Sequence, residues 1–353
     1  MYIYVLPVSG GGFVTQLAII QHLCEIKFIP KIILASSGGN VAAYISSAAN
    51  WKWAAIERIA RELSQDLFIC PWIKIASLSL VIGYFKGNIH NKGSGIYEFV
   101  NKYFTNESIK KYEIWTGTYN KNKQRARLFC NLSKKDSILD TSCIDYDLTQ
   151  SMEPYFADGD MTIIGDASVA SASIPSVVPS QKIFDEDYID GGVASASPLS
   201  IMQEPILKYI HSKNEKLHLL YINSVDLSNP NTKPIHNILD TWKQTANDLI
   251  RSQTVIDRLS CYELLRCHSN KINKNEFVCD HQTMTKIKSI QDKIKYSMLE
   301  IYPIQRIELN LSNFNGNDVV DGIRDAYTKC RCRFWWISTG NVTTDNEIIK
   351  VLE

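Results

Sequence analysis

Residues 32–43, IILASSGGNVAA, place an apolar run, a Ser-Ser-Gly-Gly step and a second apolar run in direct succession, without a polar loop between them. The first run is typical of a buried strand and the second of a close-packed helix. A strand that turns sharply into a helix exposes the residue at the turn and needs small neighbours, because larger side chains would clash there. The segment therefore predicts a nucleophile elbow with Ser37 at its apex. The small neighbours are Ala35, Gly38 and Gly39.

Strands and helices alternate on both sides of this elbow. Strand-like composition is found in YIYVLPV (2–8) and KIILAS (31–36), and helical spacing in LAIIQHLCEI (17–26) and VAAYISSAA (41–49). Strand and helix alternating within so short a stretch indicate a parallel sheet joined by right-handed crossovers. The sequence therefore predicts an α/β protein with three layers, α/β/α, around a mostly parallel central sheet.

The rest of the chain continues this pattern less regularly. Further strands are predicted at 112–119 and 125–133, joined by a polar hairpin turn, and at 187–190, 217–224 and 306–311, with helices at 237–268 and 281–300. The chain has no internal repeat and no low-complexity linker. We expect residues 1–225 to form the core of the catalytic domain. Residues 226–353 are expected to complete the same domain as a mainly helical region.

Composition and charge argue against several classes of protein. The 353 residues are 45% hydrophobic and 21% charged, and 38 Lys and Arg against 37 Asp and Glu leave a net charge of +1. This balance is ordinary for a soluble globular protein and gives no reason to expect nucleic acid as a partner. Nine scattered cysteines without a C-x-x-C pair argue against a disulfide framework or a zinc site, and the first residues lack a signal-peptide pattern. We therefore expect a cytoplasmic protein.

One apolar segment tests this expectation. Residues 67–85, LFICPWIKIASLSLVIGYF, approach the length of a membrane-spanning helix. Lys74 lies near the middle of the segment, where a charged side chain is costly in a bilayer. The segment therefore predicts a buried helix or an apolar flap over a pocket rather than a membrane span.

A glycine-rich segment, Ser9-Gly10-Gly11-Gly12, lies between the first predicted strand and the first predicted helix. Unobstructed backbone N–H groups at a helix start form an anion site, suited to a phosphate or to the oxyanion of acyl transfer. A dinucleotide fingerprint would need glycine where Thr15 stands, and the Lys-Ser/Thr pair of a P-loop is absent. A glycine turn without a ligand is the alternative interpretation.

The third motif lies in DYIDGGVASASP, residues 187–198. A strand that ends in Asp190-Gly191-Gly192 presents a carboxylate at a tight turn, where the glycines let a substrate or another loop approach closely. Taken alone, a capped strand end explains the same residues. The chain order of the three motifs favours a catalytic interpretation.

With these motifs in this order, the sequence resembles the patatin-like phospholipase family. SGGG (9–12) matches the family's oxyanion loop, ASSGG (35–39) its nucleophile elbow, and DGG (190–192) its Asp-Gly-Gly turn. The segment ASVASASIPSVVPS (167–180) resembles the Ala/Ser-rich helix that precedes the last motif. The resemblance covers about residues 2–225.

The resemblance implies a Ser-Asp catalytic dyad without histidine, in which Ser37 is the nucleophile and Asp190 is the base. The N–H groups of Gly10, Gly11 and Gly12 would stabilise the oxyanion. The implied reaction is phospholipase A-type hydrolysis of a carboxylic ester in a glycerophospholipid, through an acyl-serine and without metal or cofactor. The implied partners are lipid substrates and, peripherally, a membrane surface.

Four positions depart from the family's pattern. Val14 and Thr15 stand where the family has a cationic residue and a glycine, so the oxyanion loop lacks a positive charge. Ala35 replaces the first glycine of the elbow, and Ala196 replaces the asparagine six residues after the Asp. A weakened relative that acts as a lipid-binding module is therefore an alternative. The late segment KCRCRFWW (329–336) supports it, since basic residues beside tryptophans suit a membrane interface.

A Ser-His-Asp α/β-hydrolase is the other alternative. The histidines that follow the Asp-Gly-Gly motif are His211, His218, His236, His268 and His281. In that fold, however, several strands precede the strand that leads into the nucleophile, whereas only one predicted strand precedes the strand that leads into Ser37 here.

Overall fold

The structure, a computed structural model, describes residues 1–63, 99, 102–103, 106–175, 180–224, 238–269, 271–304, 309, 315–338 and 342–352. Within these ranges it leaves out the side chains at 106, 238–247, 250, 342, 344 and 352. The predicted apolar segment 67–85 and the predicted boundary at residue 225 lie outside the described residues.

One sheet organises the described part of the chain. Its strands are β1 (Tyr2–Leu6), β2 (Ile32–Ser36), β3 (Glu113–Asn120), β4 (Arg125–Cys130), β5 (Tyr155–Phe156), β6 (Gln181–Ile183), β7 (Glu186–Asp190), β8 (Leu217–Ile222), β9 (Ile272–Val278), β10 (Tyr296–Pro303) and β11 (Cys330–Ile337). The strand order is β5-β4-β3-β2-β1-β8-β10-β11-β9, and β7 pairs with both β3 and β6. The central strands β3, β2, β1, β8 and β10 are all parallel, which confirms the predicted mostly parallel sheet.

Helices cover both faces of this sheet. They are α1 (Phe13–Glu25), α2 (Gly38–Ala48), α3 (Trp53–Ala60), α4 (Asn106–Ile109), α5 (Met161–Ser171), α6 (Leu199–Lys213), α7 (Ile238–Arg266), α8 (His281–Gln291), α9 (Gly316–Tyr327) and α10 (Val342–Leu352). No helix among the described residues combines the length and the apolar composition that a bilayer crossing requires.

Side chains of the central strands alternate between two apolar layers. On β1, Tyr4 and Leu6 pack in the layer formed with α1, α2, α8 and α9. Ile3 and Val5 point the other way, into the layer formed with α6 and α7. A parallel sheet must be covered on both faces, which is why its strands are apolar almost without interruption. The predicted α/β/α layers are therefore confirmed.

The C-terminal region contains three strands that the sequence does not predict, β9, β10 and β11, beside its helices α7 to α10. The helix predicted at 281–300 ends at Gln291, and the chain then enters β10, which pairs in parallel with β8. Apolar residues on both faces of β10 remove the alternation that marks a half-buried strand, so periodicity does not separate it from a buried helix. The strand predicted at 306–311 falls almost wholly outside the described residues.

Asn131, directly after β4, links three backbone groups of the preceding chain. Its Oδ1 accepts the Ile114 N–H at 2.8 Å, and its Nδ2 donates to the carbonyls of Ile109 at 2.8 Å and Tyr112 at 2.9 Å. Asn131 is buried, so no water replaces these bonds when the amide is removed. This side chain therefore fastens the entry into β3.

We predict that Asn131→Ala lowers the free energy of unfolding by about 2–4 kcal/mol, since it leaves buried backbone groups without a partner. Urea denaturation at constant pH measures the loss. The exposed Asn317→Ala serves as the control and is expected to change the value by less than about 0.5 kcal/mol. Equal losses in the two variants would contradict this account of Asn131.

Candidate active site

Two strand ends meet on one edge of β3. Strand β2 runs parallel to β3 and its last pair is Ser36 with Gly117. Strand β7 runs antiparallel to β3 and its last pair is Asp190 with Thr118. The other edge of β3 is occupied by β4, so β2 and β7 approach each other along the same edge. The residue after β2, Ser37, and the last residue of β7 are therefore brought together.

Ser37 and Asp190 form a direct hydrogen bond. The Ser37 Oγ–H donates to Asp190 Oδ2 at 2.6 Å, across 153 positions of the chain. The second carboxyl oxygen, Oδ1, accepts the Gly192 N–H at 2.8 Å. Ser37 is 2% exposed and Asp190 is 4% exposed, so water competes little for either group. The two residues that the sequence singles out as nucleophile and base are in contact.

The turn at Ser37 is strained and tightly packed. Ser37 has φ 54° and ψ −128°, a conformation that costs a non-glycine residue about 1–3 kcal/mol. Helix α2 begins at the next residue, and a Cβ at Gly39 would lie 2.2 Å from the Leu6 carbonyl oxygen. A Cβ at Gly38 would lie 2.5 Å from the Gly10 carbonyl oxygen. Ala35 stays within β2 and is fully buried, so its methyl group is accepted there.

Ser171, the last residue of α5, holds this turn in place. Its Oγ accepts the Ser37 N–H at 2.9 Å and donates its own proton to the Gly117 carbonyl at 2.7 Å. One hydroxyl thus joins the elbow to Gly117, the residue of β3 that pairs with the end of β2. The sequence places Ser171 in an Ala/Ser-rich helix, but nothing local distinguishes it from the other serines of that helix.

Gly117 is a second residue that sequence reasoning missed. A Cβ at this position would lie 2.4 Å from Ser36 Oγ, and a Cβ at Gly191 would lie 2.3 Å from the Gly117 carbonyl oxygen. Glycine at both positions lets the ends of β2 and β7 close onto β3. A lone glycine inside a predicted strand signals a close backbone approach, and this was the available clue.

The glycine-rich segment forms a 3-10 turn, Gly10–Gly12, in front of α1. Gly10 has φ +51°, and a Cβ built on it would meet no other atom. A Cβ built on Gly38 would lie 3.0 Å from the Gly10 nitrogen, so the glycine turn and the elbow are close to each other. The Gly12 N–H donates to the Ser9 carbonyl at 2.8 Å, whereas the N–H groups of Gly10 and Gly11 have no backbone acceptor among the described residues. Of the three predicted oxyanion donors, the Gly12 N–H is therefore already engaged within the turn.

Gln16 on α1 fixes this turn, and it too was missed. Its Oε1 accepts the Ser9 hydroxyl proton at 2.8 Å, and its Nε2 donates to the carbonyls of Pro7 at 2.9 Å and Ile222 at 3.1 Å. Pro7 follows β1 and Ile222 ends β8, so the glutamine ties the glycine turn to the carboxyl ends of two parallel strands. Gln16 is fully buried, which makes these bonds hard to replace.

Burial sets the proton affinity of the site. Removal from water raises the pKa of Asp190 from its ordinary 3.8 to about 7, although the hydrogen bonds from Ser37 and Gly192 act in the opposite direction. A carboxylate with this pKa is a much stronger base than an exposed one, and it is still largely ionised just above neutral pH. The positive end of α2, beginning at Gly38, favours negative charge beside Ser37.

The histidines of the described residues are engaged elsewhere. His218 on β8 hydrogen-bonds through Nδ1 to Ser297 Oγ at 2.8 Å, and His211 stacks on His268 with ring centroids 5.2 Å apart. His281 faces Glu25 at 4.0 Å. His236 lies outside the described residues. The position that a triad histidine would occupy next to Ser37 is taken by the carboxylate of Asp190.

We predict that Ser171→Ala lowers the free energy of unfolding by about 2–4 kcal/mol, because it removes two buried hydrogen bonds that cross between elements. Ser173→Ala is the matched control, since Ser173 is equally buried but its Oγ donates to the carbonyl of Val169, four residues earlier in the chain, at 2.8 Å. Its loss is expected to stay below about 1 kcal/mol. Chemical denaturation compares the two, and an equal loss would show that Ser171 does not clamp the elbow.

Comparison with known proteins adds an independent observation to this geometry. A family model for patatin-like phospholipase matches residues 6–202, more than half of the chain, and the match includes the glycine turn, the elbow and the Asp-Gly-Gly turn. No curated protein matches the chain. The sheet order and the covered faces are those of an α/β protein, in agreement with the match. The chain belongs to the patatin-like phospholipase family.

Proposed function

We propose that the protein is a serine-dependent lipid acyl hydrolase of phospholipase A type, which cleaves carboxylic esters of glycerophospholipids through a Ser37–Asp190 dyad. The observation that carries the proposal is the 2.6 Å hydrogen bond between the Ser37 hydroxyl and the buried Asp190 carboxylate. The family is a hydrolase family with lipid substrates, which supports the substrate class. The phospholipid specificity and the roles of the two residues are the proposed part.

In the first half of the proposed reaction, Ser37 Oγ attacks the carbonyl carbon of the ester while Asp190 takes the hydroxyl proton. The carbonyl oxygen becomes an oxyanion, which the N–H groups of Gly10 and Gly11 can stabilise together with the start of α2. Collapse of the tetrahedral intermediate breaks the ester C–O bond. Asp190 returns the proton to the departing alcohol, leaving an acyl group on Ser37.

In the second half, a water molecule attacks the acyl-serine and Asp190 takes a proton from it. The second tetrahedral intermediate uses the same N–H donors, and its collapse releases the fatty acid and restores the Ser37 hydroxyl. A single carboxyl group thus acts as base and then as acid in each half. A pKa near neutrality suits both roles, because neither protonation state is far out of reach.

The departures from the family's pattern leave this geometry in place. Val14 and Thr15 are fully buried within α1, so their side chains do not line the glycine turn from the solvent side. Ala196 is also fully buried, and its carbonyl oxygen accepts the Val8 N–H at 2.7 Å. The described hydrogen bonds of Ser37 and Asp190 do not involve the side chains at positions 14, 15 and 196, where this chain departs from the family's pattern.

The alternative of a membrane-binding module loses its main sequence support. Phe334, Trp335 and Trp336 lie in β11 and are buried between neighbouring strands and helices. Trp51, which lies in the same apolar layer as Phe334 and Trp336, is also buried and packs edge-on against Tyr4 with ring centroids 5.2 Å apart. These aromatic residues belong to the core and do not form a surface for lipid.

We predict that Ser37→Ala lowers phospholipid hydrolysis by at least about a thousand-fold, because the nucleophile is removed. A fluorophosphonate probe followed by peptide mapping is expected to label Ser37 in the wild-type protein. Ser36→Ala is the matched control, as the adjacent serine is equally buried and does not bond to Asp190; its activity should stay within about three-fold. Labelling at another residue, or full activity of Ser37→Ala, would overturn the dyad.

The pKa of Asp190 predicts the pH dependence of the reaction. The base must be ionised, so kcat/KM is expected to rise with pH and to reach half of its plateau near pH 7. A profile that is already flat at pH 5 would contradict this role. Initial rates with a soluble short-chain ester over pH 5–9 provide the measurement.

The raised pKa of Asp190 also makes the free energy of unfolding depend on pH. Its pKa in the folded protein lies above the ordinary 3.8, so its contribution to stability is fully present below about pH 4 and is lost as pH rises through about 7. Asp190→Asn removes this loss. The inactive variant is therefore expected to gain stability relative to wild type between these pH values, by up to about 4 kcal/mol. Urea denaturation at pH 4.5 and pH 8 compares the two, and a pH-independent difference would contradict the assignment.

A further inference from the structure

A second serine–carboxyl pair lies seven residues after Asp190. The Ser197 Oγ–H donates to Asp257 Oδ2 at 2.5 Å, and the Ser197 N–H bonds to the same carboxyl group. Asp257 belongs to α7, far along the chain from the motifs, and both residues are 1% exposed. The proposed reaction does not use this pair. Its position, however, is at the far end of the loop that begins with the proposed base.

This loop, residues 190–198, contacts Val8, the residue that precedes the glycine-rich segment, at two places. The Ala196 carbonyl accepts the Val8 N–H at 2.7 Å, two residues before Gly10. The absence of a side chain at Gly192 lets Val8 pack against the loop, since a Cβ there would lie 2.7 Å from Val8 Cγ2. Any displacement of the loop therefore acts on the glycine turn as well as on Asp190.

Ser197 is the point from which the loop is held. A hydroxyl has one proton to donate and can accept through its oxygen. Ser197 gives its proton to Asp257 and accepts the N–H of Leu199, the first residue of α6, at 3.2 Å. The Ser195 hydroxyl donates to the Ser197 carbonyl. The loop is thus fastened to α6 on one side and, through the Asp257 carboxyl group, to α7 on the other.

Asp257 is buried, so its carboxyl group loses its hydration in the folded protein. Burial raises its pKa to about 7. Tyr221 on β8 and Cys261 on its own helix lie near its carboxyl group, and Glu300 on β10 lies near both of these side chains. Arg258 lies beside Glu300, with its Nε 3.5 Å from Oε2. An apolar side chain of similar volume would pack at such a site without this desolvation cost. The carboxyl group instead makes a specific hydrogen bond to the loop.

We propose that Asp257 is a positioning residue for the dyad. Through Ser197 it fixes loop 190–198, so that Asp190 faces Ser37 and the glycine turn keeps its place beside them. The inference rests on the proposed hydrolase function for its kinetic consequence. Its structural consequence, a loop held by a hydrogen-bond acceptor on α7, is independent of turnover.

The kinetic test compares three substitutions with a buried-carboxyl control. Asp257→Ala and Ser197→Ala are expected to lower kcat for a soluble short-chain ester by about thirty- to a hundred-fold, with KM changed less than about three-fold, because the dyad is misaligned while substrate contacts remain. Asp257→Asn keeps an oxygen acceptor for Ser197 and should recover activity to within about five-fold of wild type. The double variant should lose no more than either single variant, since both remove one interaction.

Glu113→Ala is the control for destabilisation alone. Glu113 is a carboxyl group that is also 1% exposed, and it accepts hydrogen bonds from Trp115 Nε1 at 2.7 Å and from the Ile138 N–H at 2.5 Å. It lies at the first residue of β3, away from the Gly117–Thr118 edge. This variant should lose stability but keep kcat within about three-fold when assayed well below its unfolding temperature.

Hydrogen exchange measured by mass spectrometry tests the positioning role of Asp257 separately from the proposed hydrolase function. Faster amide exchange in residues 190–198 and 8–12 is expected in Asp257→Ala, with wild-type protection restored in Asp257→Asn. Unchanged exchange in these segments, or an Asn variant as impaired as the Ala variant, overturns the positioning role. If wild-type protein hydrolyses no ester while the exchange pattern holds, the proposed function fails and the positioning of the loop stands. If Asp257→Ala does not fold, Ser197→Ala and Asp257→Asn carry the same comparison.

Discussion

The shared edge of β3 is the constraint on which the rest of this structure depends. Two chain segments that are distant in sequence, β2 and β7, pair with consecutive positions of one strand and run toward each other. Backbone pairing alone therefore brings the residues at their ends together. Glycines at 117 and 191 allow the close approach, and the Ser37–Asp190 hydrogen bond spans the remaining gap. Sheet register thus brings the two residues together, and the contacts of loop 190–198 add to their alignment.

Local motifs account for the part of this arrangement that could be predicted from the sequence. The elbow at Ser37, the glycine turn and the Asp-Gly-Gly turn are each recognisable within a few residues, because sharp turns demand small side chains. The alternation of strand and helix predicted the parallel sheet for a similar reason. Chain order then supplied the family resemblance, and with it the pairing of Ser37 with Asp190.

The remainder depends on long-range contacts, which leave no local signature. Ser171 is one serine among several in its helix, and only its position beside Gly117 and Ser37 distinguishes it. In the sequence, Asp257 is one of several acidic residues on a predicted helix, and only the structure shows its hydrogen bond with Ser197. The sequence predicts helix for the first part of β10, because residues of this strand are buried on both faces. In each case the deciding partner lies tens to hundreds of positions away, beyond the reach of periodicity or motif spacing.

Pairing of both segments with one strand has a consequence for how such a chain can diverge. The separation of Ser37 and Asp190 is set by strand pairing at Gly117 and Thr118, and not by the lengths of the connections that lead to them. Insertions in those connections cost little, since loop entropy grows only slowly with length. A single-residue deletion within β3 would instead turn alternate side chains to the opposite face. The connections can therefore lengthen at little cost, whereas the eight residues of β3 cannot change in number without disturbing the approach of Ser37 to Asp190.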